Sequence, residues 1–179
     1  MVEITVRETV EEDIPAITAI YNEAVTNSVA VWNDDTVDEE NRLQWLADHR
    51  GPGTLALTAV AVDTDGTDGT DGTDGTEQVL GYATYGDFRS YDGFRHTVEN
   101  SIYVDGTRRA GGVGTALMQE LIERARDEGK HVMVAAIEGG NTASLRLHSK
   151  VGFEECGTVR QVGTKFGRWL DMTLMQLML

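Results

Sequence analysis

A run of glycines that opens directly into a helical pattern is the feature that most restricts the fold of this chain. Residues 109–115 read Arg-Ala-Gly-Gly-Val-Gly-Thr. Apolar residues then recur at the spacing of one helix face, at Val113, Leu117, Leu121 and Ala125 with Met118 and Ile122 beside them. Because free N–H groups and the helix dipole both favour negative charge, such a helix start predicts an anion site, here a diphosphate cradle. Glycine turns also precede helices that bind nothing, so other features must decide.

The segments around this loop predict a mixed sheet with helices on its faces. Alternating and continuous apolar runs predict strands, and the remaining amphipathic segments predict helices. In chain order they read β-α-α-β-β-β-α-β-α-β-β, which indicates an α/β or α+β domain with a mixed, mostly antiparallel sheet. Capping-box patterns at 9–12 and 36–39 predict the starts of the first two helices, and Asn141 is the expected cap of the last. The strands are expected near 4–7, 55–62, 79–85, 98–104, 131–137, 157–162 and 169–178.

Length and composition favour a single cytoplasmic domain over 1–179. No apolar run approaches the length of a membrane span, and the first residues lack the plan of a signal peptide. A net charge of -15 argues against nucleic acid as a partner and against an anionic membrane surface. The single cysteine, Cys156, excludes an internal disulfide framework and a cysteine-rich zinc site, and we expect a free, half-buried thiol there.

The acidic balance also suggests a source that lives at high salt. Only three of the fifteen basic residues are lysine, and an acidic, lysine-poor surface suits a cytosol at molar salt, where self-repulsion is screened. An ordinary acidic protein is the alternative, because a repeat of Asp-Gly-Thr at about 64–76 raises the acidic count. The repeat offers no apolar residue to bury, so we predict a solvated insertion at a hairpin tip and assign it no function.

Glu99 is the first candidate for acid–base chemistry. It lies on the predicted strand that leads to the glycine loop, on the face that carries Ser101 and Tyr103. A carboxylate on a central strand is costly to bury unless it is paired or functional. The alternative is a carboxylate that a nearby arginine merely neutralises.

The last predicted helix presents a polar face. Asn141, Ser144 and His148 are spaced i, i+3 and i+7, so their side chains line up. A histidine in such a row is a better functional candidate than an isolated one, although a structural histidine remains the alternative. No second ligand stands at metal-binding spacing, so we predict no metal site.

Two further segments could contact a small ligand. Residues 87–96 interleave aromatic residues with arginines, whose guanidinium groups suit a carboxylate or another oxyanion. These arginines could instead pair with the protein's own acids, and residues 165–169 have the same ambiguous composition. The apolar connection at 28–33, which contains Trp32, could line a pocket or pack on the core. The glycine loop lacks the lysine of a P-loop, which disfavours a nucleotide hydrolase.

Together these motifs resemble the GCN5-related N-acetyltransferase superfamily. Arg109-x-x-Gly112-x-Gly114 resembles its pyrophosphate loop, residues 98–104 its pantetheine-contacting strand, and residues 141–153 its later cofactor motif. Residues 19–22, 30–33, 93–99, 131–135 and 165–171 narrow the resemblance to the phosphinothricin-type branch, and most of all to bacterial L-methionine sulfoximine/L-methionine sulfone acetyltransferases. Two positions depart from the pattern: Gly111 stands where many relatives carry a cation, and His148 where many superfamily members carry tyrosine.

The resemblance implies transfer of acetyl from acetyl-CoA to the primary amine of a small amino-acid-like substrate, in a homodimer. Glu99 would be the base, directly or through water, because amines with a pKa of roughly 8 to 10 are mostly protonated at neutral pH. His148 would stand near the thioester sulfur, as proton donor to the thiolate or as a second base, and strand N–H groups would hold the oxyanion. The implied cofactor-binding residues are Ile102, Tyr103, Val104, Arg109, Ala110, Gly111, Gly112, Val113, Gly114, Thr115, Asn141, Ser144 and Lys150. The implied substrate-binding residues are Trp32, Arg89, Gly93, Phe94, Arg95 and Asn141.

Two other functions remain open at this point. Acetylation of a peptide or protein N-terminus would need an open groove, whereas the aromatic and arginine residues at 87–96 favour a small closed pocket. A non-catalytic acetyl-CoA-binding sensor would bind without turnover, so release of thiol separates it from an enzyme.

Overall fold

The computed structural model describes residues 3–62, 77–107 and 111–179. The acidic repeat expected at 64–76, together with Arg109 and Ala110 of the glycine loop, lies outside these residues. The strands are β1 (Glu3–Glu8), β2 (Leu55–Val62), β3 (Glu77–Asp87), β4 (Thr97–Val104), β5 (Val132–Glu138), β6 (Glu154–Lys165) and β7 (Arg168–Met178). The helices are α1 (Ile14–Asn27), α2 (Glu39–Asp48), α3 (Val113–Asp127) and α4 (Thr142–Lys150).

The seven strands of the described residues form one sheet in the order β1-β2-β3-β4-β5-β7-β6. Every neighbouring pair is antiparallel except β4 and β5, which are parallel. The expected mixed, mostly antiparallel sheet and the expected order of elements are therefore confirmed. Within the described residues, no helix is long and apolar enough to cross a membrane.

α3 covers one face of the sheet with the apolar stripe that the sequence predicts. Val113, Leu117, Leu121 and Ala125 are each at most 1% exposed, and Met118 and Ile122 are buried beside them. They pack on inward-facing residues of β2, β3 and β5. The helix ends at Asp127, and Gly129 follows with a φ of 71°, a conformation that costs glycine little.

α1 and α2 cover the opposite face through a cluster of aromatic residues. Tyr82 of β3 stacks on Tyr103 of β4, with ring centroids 5.1 Å apart, and Tyr21 of α1 meets Tyr103 edge to face. Trp45 of α2 packs edge to face on Tyr82. Since side chains alternate along a strand, these contacts place Glu99 and Tyr103 on the α1 side and Asn100 on the α3 side.

The predicted helix caps at the first two helices are wrong in detail. The hydroxyl of Thr9 lies 2.9 Å from that of Thr58 instead of capping α1. The backbone N–H of Val10 donates to Asp13, whose carboxylate also binds Arg7. α2 is capped by Asp38, not by the threonine two residues earlier, because the Asp38 carboxylate accepts from the N–H of Asn41.

The connection between α1 and α2 docks on the β6–β7 hairpin. The ammonium of Lys165 is buried and donates to the backbone carbonyl of Val31 at 2.5 Å. Burial lowers the pKa of Lys165, an effect that the nearby Asp34 partly opposes. The ring of Trp32 lies so close to Gly163 that a Cβ at that position would clash with it. The expectation of a half-buried Cys156 is wrong, since this thiol is exposed on the edge strand β6.

Candidate functional site

The candidate site is a cleft where two central strands separate. β4 and β5 are paired only at Thr97/Val132, Val98/Met133 and Glu99/Val134. From Asn100 onward the strands diverge, so the edge of β4 that faces β5 has no strand partner among the described residues. The cleft is lined by Ala30, Asn100, Ser101, Ile102, Tyr103, Ala135, Ala136, Ile137, Glu138, Asn141, Ser144 and His148.

Glu99 stands at the mouth of this divergence, on the α1 face of the sheet. It is opposite Gly86 on β3, and a Cβ at Gly86 would meet no atom within 4 Å, so open space adjoins the carboxylate. Burial raises the pKa of Glu99, and the charge of Arg89 partly opposes that rise. Their nearest atoms are 3.8 Å apart, while the Arg89 guanidinium donates to the carbonyl of Phe88 at 2.6 Å. The alternative of a neutralising arginine is thus present only as a loose contact.

His148 lies on the other side of the cleft and is 1% exposed. Its Nδ1 is 2.8 Å from the backbone carbonyl of Ser144, so Nδ1 must carry the proton. Its Nε2 is then the acceptor for the side-chain amide of Asn100, at 3.0 Å. Burial lowers the pKa of His148, more than the hydrogen bond to Ser144 raises it. The imidazole is therefore neutral at neutral pH, with both nitrogens engaged.

Asn100 is the site residue that the sequence patterns do not single out. It is 6% exposed and donates to His148 and, at 3.6 Å, to the sulfur of Met118. Within the described part of the chain, its carbonyl oxygen Oδ1 finds no donor. The available signal is its place between Val98 and Ile102, because a polar amide on the apolar face of a strand needs a specific partner.

The three residues of the polar row on α4 lie together at the cleft. Asn141, Ser144 and His148 all line it. Asn141 also caps α4, since its side-chain oxygen accepts from the N–H of Ser144 at 3.1 Å. The side-chain NH₂ group of Asn141 takes no part in this cap and can donate to another group.

The glycine loop and α4 bring donors and a cation to the start of α3. Gly112 has a φ of 96° and open space around it, which lets a ligand approach the backbone closely. Lys150 of α4 places its ammonium 3.4 Å from the hydroxyl of Thr115 in the first turn. Gly114 has a second role, because a Cβ there would lie 3.1 Å from the side chain of Leu147 on α4.

This arrangement fits acetyl-CoA. The open edge of β4 offers backbone groups to an extended arm that contains amides, and the helix start with Lys150 offers donors to phosphates. Asn100, which lines the same cleft, carries a buried acceptor that finds no donor among the described residues. Among the residues described, no three histidine, cysteine, aspartate or glutamate side chains come together at a metal-binding distance, and the absence of a metal remains a prediction.

Of the six residues expected to bind the amine, only Asn141 lines the cleft, and the other five lie outside its lining. Gly93, Phe94 and Arg95 are exposed in the connection between β3 and β4, as is Arg89. Phe94 meets Phe88 edge to face, and Arg95 donates to the carbonyl of Asp92. These contacts order the connection locally next to the start of β4. Trp32 is held between its own connection and β6.

Comparisons with known proteins agree with this geometry. Residues 17–153 match the acetyltransferase (GNAT) family. The chain is 50% identical to an L-methionine sulfoximine/L-methionine sulfone acetyltransferase of Pseudomonas aeruginosa, over 97% of this chain and 93% of that one.

Two solved structures extend the agreement to the fold. A ribosomal-protein-alanine N-acetyltransferase of Brucella melitensis is 48% identical, with a TM-score of 0.85 over 98% of this chain and 99% of that one. A phosphinothricin acetyltransferase of Sinorhizobium meliloti, solved in complex with acetyl-CoA, is 35% identical, with a TM-score of 0.85 over 98% and 88%. The chain therefore belongs to the acetyltransferase (GNAT) family, and it is an N-acetyltransferase.

Proposed function

We propose that this enzyme transfers acetyl from acetyl-CoA to the α-amine of a small amino acid of the methionine sulfoximine, methionine sulfone or phosphinothricin type. The observation that carries the proposal is the cleft between β4 and β5, with Glu99 on one face of the sheet and the start of α3 on the other side. The names of the Pseudomonas and Sinorhizobium proteins support the substrate class. A panel of small amines tests this part of the function.

Glu99 is the proposed base. An amine reacts only after it loses a proton, and its pKa of roughly 8 to 10 keeps it protonated at neutral pH. Burial raises the pKa of Glu99, which makes it a stronger proton acceptor than an exposed glutamate. The free volume above Gly86 leaves room for the amine, or for one water, beside the carboxylate.

His148 is proposed as a positioning residue of the thioester side of the cleft. A neutral imidazole whose N–H is committed to Ser144 has no proton to give to a thiolate, so its contacts argue against the proton-donor role. Its remaining nitrogen is occupied by Asn100, which also argues against a second base. A thiol has a pKa of about 8.5, so the thiolate can depart without full protonation.

The proposed cofactor site follows the open edge of β4 to the start of α3. Backbone groups of Ile102, Tyr103 and Val104 would contact the pantetheine arm, and N–H groups at 111–115 would bind the diphosphate. Asn141, Ser144 and Lys150 would complete this site from α4, and Lys150 supplies the cation that Gly111 does not. Arg109 and Ala110, from the same loop, remain part of the proposal.

The proposed amine pocket combines the β3–β4 connection with the α1–α2 connection. Arg89 and Arg95 are candidates for the substrate carboxylate because a guanidinium binds carboxylates with two parallel hydrogen bonds. Phe94 and Gly93 would shape the pocket, with Trp32 and Asn141 as further contacts. Arg89 is best placed, since it already lies 3.8 Å from Glu99.

The substrate class is tested by acetyl-CoA-dependent release of thiol. The panel comprises methionine sulfoximine, methionine sulfone, phosphinothricin, and the same compounds with the α-amine blocked. We expect turnover with at least one free amine and none with the blocked forms. Failure of all three amines, while acetyl-CoA still binds, would reject this substrate class.

Acetylation of a protein N-terminus is the second candidate. It is favoured by the name of the Brucella protein, which is 48% identical to this chain. Peptides that begin with alanine, assayed beside the small amino acids, separate the two. A larger kcat/KM for the peptides would favour the second candidate.

We infer a homodimer for this protein. β6 is an edge strand, exposed from Glu154 to Val162, and large apolar side chains stand beside it. Val162, Phe166 and Trp169 are 47%, 56% and 68% exposed, a patch that a second copy of the chain could cover. Light scattering after size exclusion should give twice the monomer mass, and Trp169→Glu should shift it toward the monomer. A wild-type monomer would contradict this inference.

We further propose a cytoplasmic enzyme from a high-salt cytosol. The exposed, unpaired thiol of Cys156 supports a reducing compartment. The net charge of -15, with only three lysines, supports high salt.

A further inference from the structure

Asn100 lines the cleft and carries a buried hydrogen-bond acceptor that has no donor among the described residues. Three buried side-chain atoms of the described residues find no hydrogen-bond partner: the hydroxyls of Tyr82 and Tyr85 and Oδ1 of Asn100. Of the three residues, only Asn100 lines the cleft. A buried acceptor without a donor is costly and is uncommon in native proteins, so a partner that arrives with a ligand would relieve that cost.

The direction of this amide is set by its neighbours. The carbonyl of Ser144 holds the proton of His148 on Nδ1, which leaves a lone pair on Nε2. Only the NH₂ group of Asn100 can satisfy that lone pair, because the reverse orientation would set two acceptors against each other at 3.0 Å. Oδ1 must therefore remain the free end of the amide.

The position of Asn100 restricts what that free end can meet. It is the first residue of β4 beyond the last pair with β5, so it stands at the vertex of the cleft. Glu99 precedes it and faces the amine side, and the two side chains leave the strand on opposite faces. If Glu99 deprotonates the amine on the α1 side of the sheet, the thioester must reach the vertex of the cleft, beside Asn100, from the α3 side. The hydrogen-bond donor nearest a coenzyme A thioester is the amide N–H of the cysteamine unit, two carbons from the sulfur.

We propose that Oδ1 of Asn100 accepts a hydrogen bond from the cysteamine amide N–H of acetyl-CoA, and that His148 keeps the Asn100 amide turned for that contact. This inference rests on the proposed function, and it makes Asn100 a binding residue and His148 a positioning residue. It also accounts for a histidine that is neutral, buried and fully hydrogen-bonded in a catalytic cleft.

The test varies the ligand and the protein together. The probes are acetyl-CoA and its analogue in which the cysteamine amide nitrogen is replaced by oxygen, which removes the N–H and keeps the chain length. Dissociation constants are measured by calorimetry, without an amine substrate. We expect the wild type to bind the analogue about fivefold to tenfold more weakly, and Asn100→Ala to bind both probes equally. Equal preference in the two proteins would overturn the proposal.

His148→Phe tests the positioning role through the same ratio. Without its partner, the Asn100 amide is free to turn, so the preference for acetyl-CoA over the analogue should fall toward one. If His148 had only a structural role, its replacement would weaken the binding of both probes by the same factor. The ratio of the two dissociation constants would then stay unchanged, which would overturn the positioning role.

Two further measurements distinguish this hydrogen bond from general damage to the site and from a contact with the thiol. The adenosine bisphosphate half of coenzyme A should bind Asn100→Ala as it binds the wild type, and weaker binding would point to general damage and overturn the proposal. Loss of affinity for free coenzyme A but not for acetyl-CoA would assign the contact to the thiol and also overturn it. If Asn100→Ala does not fold, a wild type that binds the two probes equally would still overturn the proposal, and the ratio in His148→Phe tests the assignment to the Asn100 amide. A wild type that binds neither probe would instead reject the proposed function.

Discussion

At the scale of single residues, Glu99 lies opposite Gly86, a strand position without a side chain. This pairing supports the proposed role of Glu99 as the base. The carboxylate is half-buried, and its pKa is raised, while Gly86 keeps the space beside it open. On the opposite face, Asn100 and His148 hold one another by a 3.0 Å hydrogen bond. In the proposed mechanism, adjacent residues of one strand therefore serve the two substrates separately.

Replacing Glu99 by glutamine removes the proposed base and keeps the size of the side chain. We expect kcat to fall by about 10²–10⁴, as is typical for a general base. The acid limb of the pH profile of kcat/KM should also be lost, because that limb reports ionisation of Glu99. Steady-state rates across the pH range check both expectations. Full turnover in Glu99→Gln would reject the assignment.

The same variant should be more stable than the wild type at neutral pH. The folded state raises the pKa of Glu99, so its contribution to stability is present below its unfolded pKa, about 4.3, and is lost as the pH rises through the folded value. At neutral pH this raised pKa therefore costs stability, and Arg89 offsets only part of that cost. Thermal unfolding at neutral and acidic pH checks this, and a variant less stable than wild type at neutral pH would contradict it.

Gly86→Ala should affect the amine and not the fold. The added methyl group meets no protein atom within 4 Å, but it enters the space beside Glu99. We expect a higher KM for the amine, an unchanged KM for acetyl-CoA, and nearly unchanged thermal stability. Gly51→Ala, in the connection between α2 and β2, is the control. An unchanged KM for the amine would show that the substrate does not occupy this space.

At the scale of elements, α3 and α4 together form the proposed cofactor side. The helix start was predictable from the glycine loop and the apolar stripe, since both are local patterns. The approach of Lys150 to Thr115 was not, because it depends on how α4 packs over Gly114. That packing also means that Gly114→Glu would disturb the helix contact with Leu147 as well as any phosphate site.

Lys150→Gln is therefore the cleaner test of the anion site. We expect the KM for acetyl-CoA to rise about fivefold, with kcat nearly unchanged, because the charge would bind substrate and transition state alike. Lys130→Gln is a matched control, since the ammonium of Lys130 contacts the backbone carbonyl of Arg95 instead of the first turn of α3. Equal effects of the two substitutions would mean a general loss of charge and not a site.

The order of elements along the chain and the mixed sheet were predictable from the sequence, but the cleft was not. Hydrophobic alternation identified all seven strands of the described chain, and the family resemblance pointed to β4 as the cofactor strand. The divergence after Glu99/Val134 leaves no periodic signal, because β4 and β5 look like continuous strands on either side of it. Sequence patterns did not identify Asn100 for a similar reason, because its importance depends on a contact with a histidine 48 residues away.

At the scale of the whole molecule, the net charge is expected to control how stability depends on salt. A net charge of -15 destabilises a compact chain through self-repulsion, and salt screens that repulsion to a Debye length of about 3 Å at 1 M. We therefore expect the thermal unfolding midpoint to rise steadily from low to molar KCl. No dependence on KCl would contradict the proposed high-salt source and leave an ordinary acidic enzyme.

The cleft has one more consequence, which concerns mechanics. β1–β4 form one part of the sheet and β5–β7 the other, and among the described residues only three pairs, all between β4 and β5, join the two parts within the sheet. A ligand bound along the open edge of β4 would connect the two parts of the sheet. The free enzyme should therefore bend about the three β4–β5 pairs, and the ligand-bound enzyme should be stiffer. The sheet would then become stiffer when the ligand binds and more flexible when the product leaves, once in each turnover.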